Sequence, residues 1–227
     1  LLAALALAIA GTVAYAWKEE QRADAEVAGR ARVQRMLDLR LAREVDTARE
    51  NLWPAVPENS AALGRTLATA REVLARGPEV SAALARGDFA DAGQEAALRE
   101  LTTLLVALPE VVRDLEARQR RADTLEHDTR TGPEARTAWE SARAAIRASP
   151  RYQGLELTPQ LGLLPLGADP ASGLHEFWCV LSGARPERDA QTGRWKPTGE
   201  TGVVLVLVPG AVTAVGSLEM TPPGTPD

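Results

Sequence analysis

His175 and Glu176, with Asp169 shortly before them and the single cysteine, Cys179, shortly after, put a base, two carboxylates and a thiol within one short stretch, LGLLPLGADPASGLHEFWCVLSG at 161–183. Such a set suggests two chemistries: a metal site, or a thiol nucleophile with a histidine base. The spacing argues against each. On a strand His175 and Glu176 point to opposite faces, so a regular strand cannot offer both to one metal. Asp169 precedes Pro170 and suits a turn, where a short carboxylate caps backbone amides. Cys179 has no histidine at a recognisable triad or metal spacing, and in a strand it behaves as a small buried hydrophobe. His127, in LEHDTR, lies on a charged helix face and is expected in solvent. No residue is therefore assigned as catalytic, cofactor-binding or metal-binding, no cofactor is implied, and the stretch reads as the corner of a small fold.

The elements that build such a corner follow from the apolar runs. Phe177–Leu181 and Val203–Val208 are short apolar runs bounded by glycine or proline and predict two buried strands, paired antiparallel. Ala211–Val215 is expected to return as a third after a Pro209-Gly210 turn. Between the first two lies the polar stretch ARPERDAQTGRWKPTGE, a long hairpin loop with Thr192-Gly193 at its tip. Alternation places Phe177 and Cys179 toward a small core filled by Leu163, Leu166 and Leu174. Trp178 and Val180 take the other face, to be covered by the helical body or a downstream domain. Glu176, on the Trp178 side, needs a partner or solvent, because an unpaired buried carboxylate is expensive.

Upstream the rhythm is helical. Val33, Leu37, Leu41, Val45, Ala48 and Leu52 recur at spacings of four and three and predict one stripe of a continuous helix over 18–52. Pro54 and Pro57 break it in NLWPAVPENSAAL, where Trp53 is expected to anchor the corner by packing. Asn59 or Ser60 then caps a helix with Leu63, Leu67, Ala70 and Leu74 on its apolar face, ending at Gly77-Pro78. Val80, Ala83 and Leu84 mark a short helix closed by Gly87. Leu98, Leu101, Leu105, Leu108, Val112, Leu115, Ala122 and Leu125 keep a heptad spacing, with a kink or restart at Pro109. Trp139, Ala142 and Ile146 mark a last helix from about Pro133 to Ser149. The stretch 53–150 therefore reads as an antiparallel helical bundle.

Composition sets the outer bounds. Of 227 residues, 45% are hydrophobic but only 4% aromatic, as in alanine- and leucine-rich helices. The 26 basic residues are interspersed with 31 acidic ones, which gives no basic patch for nucleic acid. The first 17 residues, LLAALALAIAGTVAYAW, carry no charge and end in Tyr15 and Trp17 before Lys18, Glu19 and Glu20, like an aromatic belt at a membrane surface. As a helix they reach about 25 Å against a hydrocarbon core of about 30 Å, so a truncated transmembrane helix, completed by a preceding turn, is expected. The fold class expected is mainly α, in five segments: the transmembrane helix (1–17), a juxtamembrane helix (18–52), the helical bundle (53–150), a Pro/Gly-rich β connector (151–200) and the start of a further domain (201–227).

These segments also carry a resemblance. LWPAVPEN at 52–59, the run P-Q-x-G-L-x-P-L-G-x-D-P-x-S-G-L-x-E-F at 159–177 and ETGVVLVLVPGAVTAVGS near the end resemble the region before the formylglycine-generating-enzyme (sulfatase-modifying factor) domain of bacterial membrane-anchored serine/threonine protein kinases. VLVPGAVTAVGS resembles the opening of that domain, with Ala211, Thr213 and Val215 where its pattern has Gly, Phe and Met. The family's paired catalytic cysteines have no counterpart, since Cys179 does not match them, and kinase motifs are absent from the chain. The resemblance implies a single-pass, membrane-tethered, non-catalytic connector or sensor segment, extracytoplasmic if the kinase arrangement holds. Its partners would be the membrane, through residues 1–17, and the neighbouring domains of a parent chain, with coiled-coil self-association as a further mode. Two alternatives stand beside it: the N-terminal part of a formylglycine-type or non-haem-iron-type enzyme, and a free-standing membrane sensor whose helices bind a ligand.

Overall fold

The computed structural model describes residues 2–210; for residues 2–11 and 13 it describes the backbone only. The expected strand at Ala211–Val215 and most of the segment 201–227 lie outside the described residues. The protein is mainly α, with a small three-stranded antiparallel sheet. The chain divides into two compact units, Leu1–Thr124 and Leu125–Asp227.

The first unit holds α1 (Leu2–Asn51), α2 (Pro57–Ala75), α3 (Gly77–Arg86) and nearly all of α4 (Ala92–Glu126). α1 is one uninterrupted helix of 50 residues, about 75 Å long. From Ala14 to Val27 its side chains are exposed, and only beyond them does it enter a core. Among the described residues no helix is long and apolar enough to cross a membrane.

The stripe of α1 differs from the expected one. Asp38, Leu39, Ala42 and Val45 face the core, while Val33 and Leu37 are exposed. A carboxylate therefore occupies the start of the buried face, while Val45 of the expected stripe is buried and Leu41 and Leu52 pack against the core. Asp38 is 1% exposed, and Arg76, at the junction of α2 and α3, reaches it through Nε at 2.9 Å and Nη2 at 2.6 Å, with Gln34 adding a bond at 3.0 Å. Around this pair Leu63, Leu67, Val73, Val80, Leu98, Leu101 and Leu115 form the core. The expected division at residue 52 thus falls inside a packed unit: the second half of α1 is one of its walls.

Local signals explain the ends. Pro57 opens α2 at its first position, where the missing amide costs nothing. The cap is Val56, without a side-chain bond. Asn59 instead donates to the Pro54 carbonyl, and Ser60 donates to Asp123, so neither caps as expected. Gly87 closes α3 in the left-handed conformation at φ 69°, which glycine adopts without strain. Pro109 does not restart α4; the helix continues through it to Glu126. Trp53 is 59% exposed rather than buried, with the Arg118 guanidinium 5.4 Å from its ring centroid.

The second unit contains a π-helical turn (His127–Thr131), α5 (Pro133–Ala148), a 3-10 turn (Pro150–Tyr152) and strands β1 (Leu163–Ala168), β2 (His175–Cys179) and β3 (Val204–Val206). β2 is central, antiparallel to both neighbours, with Phe177 opposite Pro165 and Leu205. The pairing of the two expected strands is present. β1 was not expected: a stretch holding Pro165 and Gly167 reads as turns, yet it pairs with β2 around a bulge at Leu166. The bulge takes Leu166 out of the small core, which Leu163 and Leu174 do join. α5 also sits differently from the expected bundle over 53–150: its apolar face of Trp139, Ala142 and Ile146 packs with Tyr152 and Phe177.

Replacing Arg76 by Leu leaves the Asp38 carboxylate buried and unpaired and is expected to cost about 3 kcal/mol in chemical denaturation. Asp38→Leu combined with Arg76→Leu is expected to recover most of that loss. An equal or larger loss in the double variant would contradict the pairing argument.

Candidate functional site

The stretch 161–183 forms β1, the turn after it and β2, and its polar groups meet partners from the hairpin at 187–196. That hairpin is held by an antiparallel bridge between Arg188 and Trp195 and by the bond from the Lys196 amide to the Glu187 carbonyl at 2.9 Å. Asp189 closes its tip, accepting from the amides of Thr192 at 2.8 Å and Gln191 at 3.0 Å and pairing with Lys196 at 3.2 Å. These donors, the Thr192 amide first and the Lys196 ammonium next, hold its carboxyl below the usual aspartate value.

Arg188 and Trp195 project from this hairpin onto Glu176, which is 6% exposed in the middle of the sheet. Arg188 donates through Nη2 to Glu176 Oε2, and Trp195 donates through Nε1 to Glu176 Oε1 at 3.2 Å. The guanidinium also donates to Asp169 Oδ1 at 3.3 Å and to the Gly193 carbonyl, and it lies over the Trp195 ring, 3.8 Å from the centroid. Asp169 meanwhile accepts from the Ser172 hydroxyl at 2.7 Å and the Ser172 amide at 2.8 Å. Those two bonds, with Arg188 after them, lower its pKa. The turn role expected of Asp169 is the one it has.

The same hairpin region resolves the face of Trp178. Gly202 covers the indole, lying so close that a Cβ there would stand 2.5 Å from Trp178 Nε1. Only glycine allows that approach. Val180 leaves the strand for a 3-10 turn (Val180–Ser182), so the expected alternation stops at Cys179. On the opposite face the Phe177 and Trp139 rings lie 5.6 Å apart, and Phe177 is buried as expected.

The residues whose types suggested chemistry do not converge. His175 and Cys179 share a face but are four strand positions apart, about 13 Å, too far for a thiolate–imidazole pair. His175 and Glu176 separate across the sheet, and His127 is exposed on the π-helical turn beside Asp128. Among the described residues no three of His, Cys, Asp and Glu gather as a metal ion requires. Arg188 is taken up by two carboxylates, a carbonyl and a ring, which leaves it poorly disposed to bind an incoming anion.

Three participants were not marked by any motif in the sequence. Arg188 and Trp195 sit in a polar loop, and the signal available was a tryptophan in a stretch otherwise too polar to bury one. Thr129 is fully buried and fastens three elements. Its hydroxyl donates to the Leu125 carbonyl at 2.6 Å and accepts from the Gly162 amide at 3.2 Å, while its own carbonyl accepts from Trp139 Nε1 at 2.8 Å. No spacing pattern marks a threonine for that task.

No protein family, no characterised protein and no solved structure matches this chain. The geometry defines a mainly α protein whose small sheet is closed by an internal ion-pair network.

Phe177→Ala removes the ring that meets Trp139 and is expected to destabilise the second unit by about 3 kcal/mol or more. Thermal unfolding followed by tryptophan fluorescence is the check, since Trp139, Trp178 and Trp195 all report on this unit. A shift smaller than about 1 kcal/mol would show that Phe177 does not fill its core.

Proposed function

We propose that this chain is a membrane-tethered, non-catalytic connector of a multidomain bacterial signalling protein, of the kind that joins a serine/threonine kinase to a formylglycine-generating-enzyme-like domain. The observation that carries this reading is the continuity of α1. One helix begins in the uncharged run, passes through an exposed segment and ends as a wall of a packed core. A helix so built transmits position or torque between its ends, because bending it breaks backbone hydrogen bonds. Tyr15 and Trp17, 68% and 62% exposed, suit the headgroup level, and Lys18, Glu19 and Glu20 suit water beyond it. In this reading residues 1–17 are the interfacial end of a single-pass anchor and the two units lie on one side of the membrane.

The closed Arg188 network supports a connector over an enzyme, since its polar groups are spent on one another. The enzyme alternative rests on the resemblance at 206–217 alone. The ligand-sensor alternative has an observation of its own. An open groove of about 540 Å³ runs between α1 and α3, with Val27, Ala28, Ala31 and Ala82 as its apolar part and Arg35 and Glu79 among its charged residues.

Flotation with lipid vesicles tests the anchor. The 227-residue chain is expected to float with the vesicles, and a chain starting at Lys18 is expected to remain in the buffer. Equal behaviour of the two would remove the tether from the proposal.

A further inference from the structure

His175 opens β2 and joins three segments through its backbone. Its amide donates to the Tyr152 hydroxyl at 3.0 Å, its carbonyl accepts from the Leu207 amide at 2.8 Å, and the Tyr152 hydroxyl donates in turn to the Leu207 carbonyl at 3.2 Å. The 3-10 turn, β2 and the chain leaving β3 are thus tied at one point. The side chain at that point is 7% exposed, its ring centroid lies 6.0 Å from that of Tyr152, and its Nδ1 is buried with no hydrogen-bond partner in the protein.

The elements around the ring give a protonated Nδ1 no acceptor. β1 and β3 contain no titratable residue. The 3-10 turn contributes Tyr152, engaged as described, and Arg151, which donates to the Ser172 carbonyl. Asp169, in the turn between β1 and β2, is held by Ser172 and Arg188, and Glu176 by Arg188 and Trp195. α5 contributes Trp139, Ala142 and Ile146 to this core, and of its charged residues Arg147 pairs with Glu156 at 2.9 Å. An imidazolium here would be a buried charge without a counterion, which proteins relieve by admitting water.

We propose that His175 is an acid-triggered latch: when its ring takes up a proton, the end of the sheet where Tyr152, His175 and Leu207 are tied opens, while the Arg188 network keeps the 187–196 hairpin closed. The inference is independent of the connector function. Its sign follows from linkage. Burial lowers the ring's pKa from the ordinary 6.5, so the folded chain resists protonation that the opened chain accepts. The latch is fully closed above pH 6.5. It loosens as the pH falls from there toward the lowered folded value, by about tenfold per pH unit in the closing equilibrium.

Hydrogen exchange of the 227-residue chain, corrected for intrinsic rates, tests this at about pH 7.5 and about pH 5. The amides of His175 and Leu207 are expected to lose about tenfold or more of their protection at the lower pH, and the amides of Asp189 and Gly193 in the hairpin to keep theirs. His175→Phe is expected to abolish the difference, and His127→Gln to leave it intact. The proposal is overturned by an equal loss in His175→Phe, by unchanged protection in the wild type, or by a loss spread evenly over the hairpin. Should His175→Phe not fold, the ring resonances of His175 in the wild-type chain decide: a titration below pH 6.5, coincident with the loss of protection, supports the latch, and one at or above pH 6.5 overturns it.

Discussion

A carboxylate buried in the middle of a three-stranded sheet must be paired, and in the second unit that requirement organises nearly everything around it. Glu176 sits on the central strand, where no turn of the chain can expose it, so its partners must come from elsewhere. They come from the hairpin at 187–196, which folds back to deliver Arg188 and Trp195 together. The hairpin in turn needs its own closure, and Asp189 supplies it by capping the tip and pairing with Lys196. Asp169 links this set to the turn between β1 and β2. An apolar residue at 176 would bury as well and free the hairpin. What the ion pair adds is one defined position for a loop that hydrophobic contacts alone would leave loosely placed.

The first unit uses the same device once more. Asp38 enters the core on α1 and meets Arg76 at the corner where α2 becomes α3, and Arg35 of the same helix meets Asp88 just after α3, so desolvated pairs help to fix the register of the long helix. Most other ion pairs in this unit, such as Arg22 with Glu19 and Arg40 with Glu44, run along one helix in solvent and add only tenths of a kcal/mol each. Buried pairing, rather than the number of charges, sets the geometry. Leucine stripes tolerate sliding, whereas a desolvated ion pair has one arrangement.

The helices were legible in the sequence because their signals are local. Leu98 to Leu125 announced α4, and Gly87 marked an end that the structure has. The pairing of β2 with β3 was legible from two apolar runs with a polar loop between them. What was not legible depends on distant partners. Pro165 and Gly167 hid β1, because a bulge makes room for both and a bulge exists only once the partner strand is present. The N-terminal end of the core face of α1 was not legible, because Asp38 counts as polar until Arg76 is beside it, whereas Val45, Leu41 and Leu52 were. Trp53 was read as buried, since nothing in the sequence showed that Arg118 would stack on it in the open. Of the candidate site, the separation of His175 from Glu176 by strand alternation and the turn role of Asp169 were legible. Arg188, Trp195 and Thr129, which do the binding together, lie in stretches with no periodic signal.

The charged and aromatic groups at 169–195 hold the hairpin onto the sheet through one desolvated ion-pair network. A double-mutant cycle on Glu176→Gln and Arg188→Gln, read by chemical denaturation of the 227-residue chain, tests it most directly. The account predicts a coupling energy of about 2 kcal/mol, each single change leaving the other group buried and unpaired. A coupling below about 0.5 kcal/mol, with both single variants as stable as the wild type, would contradict it.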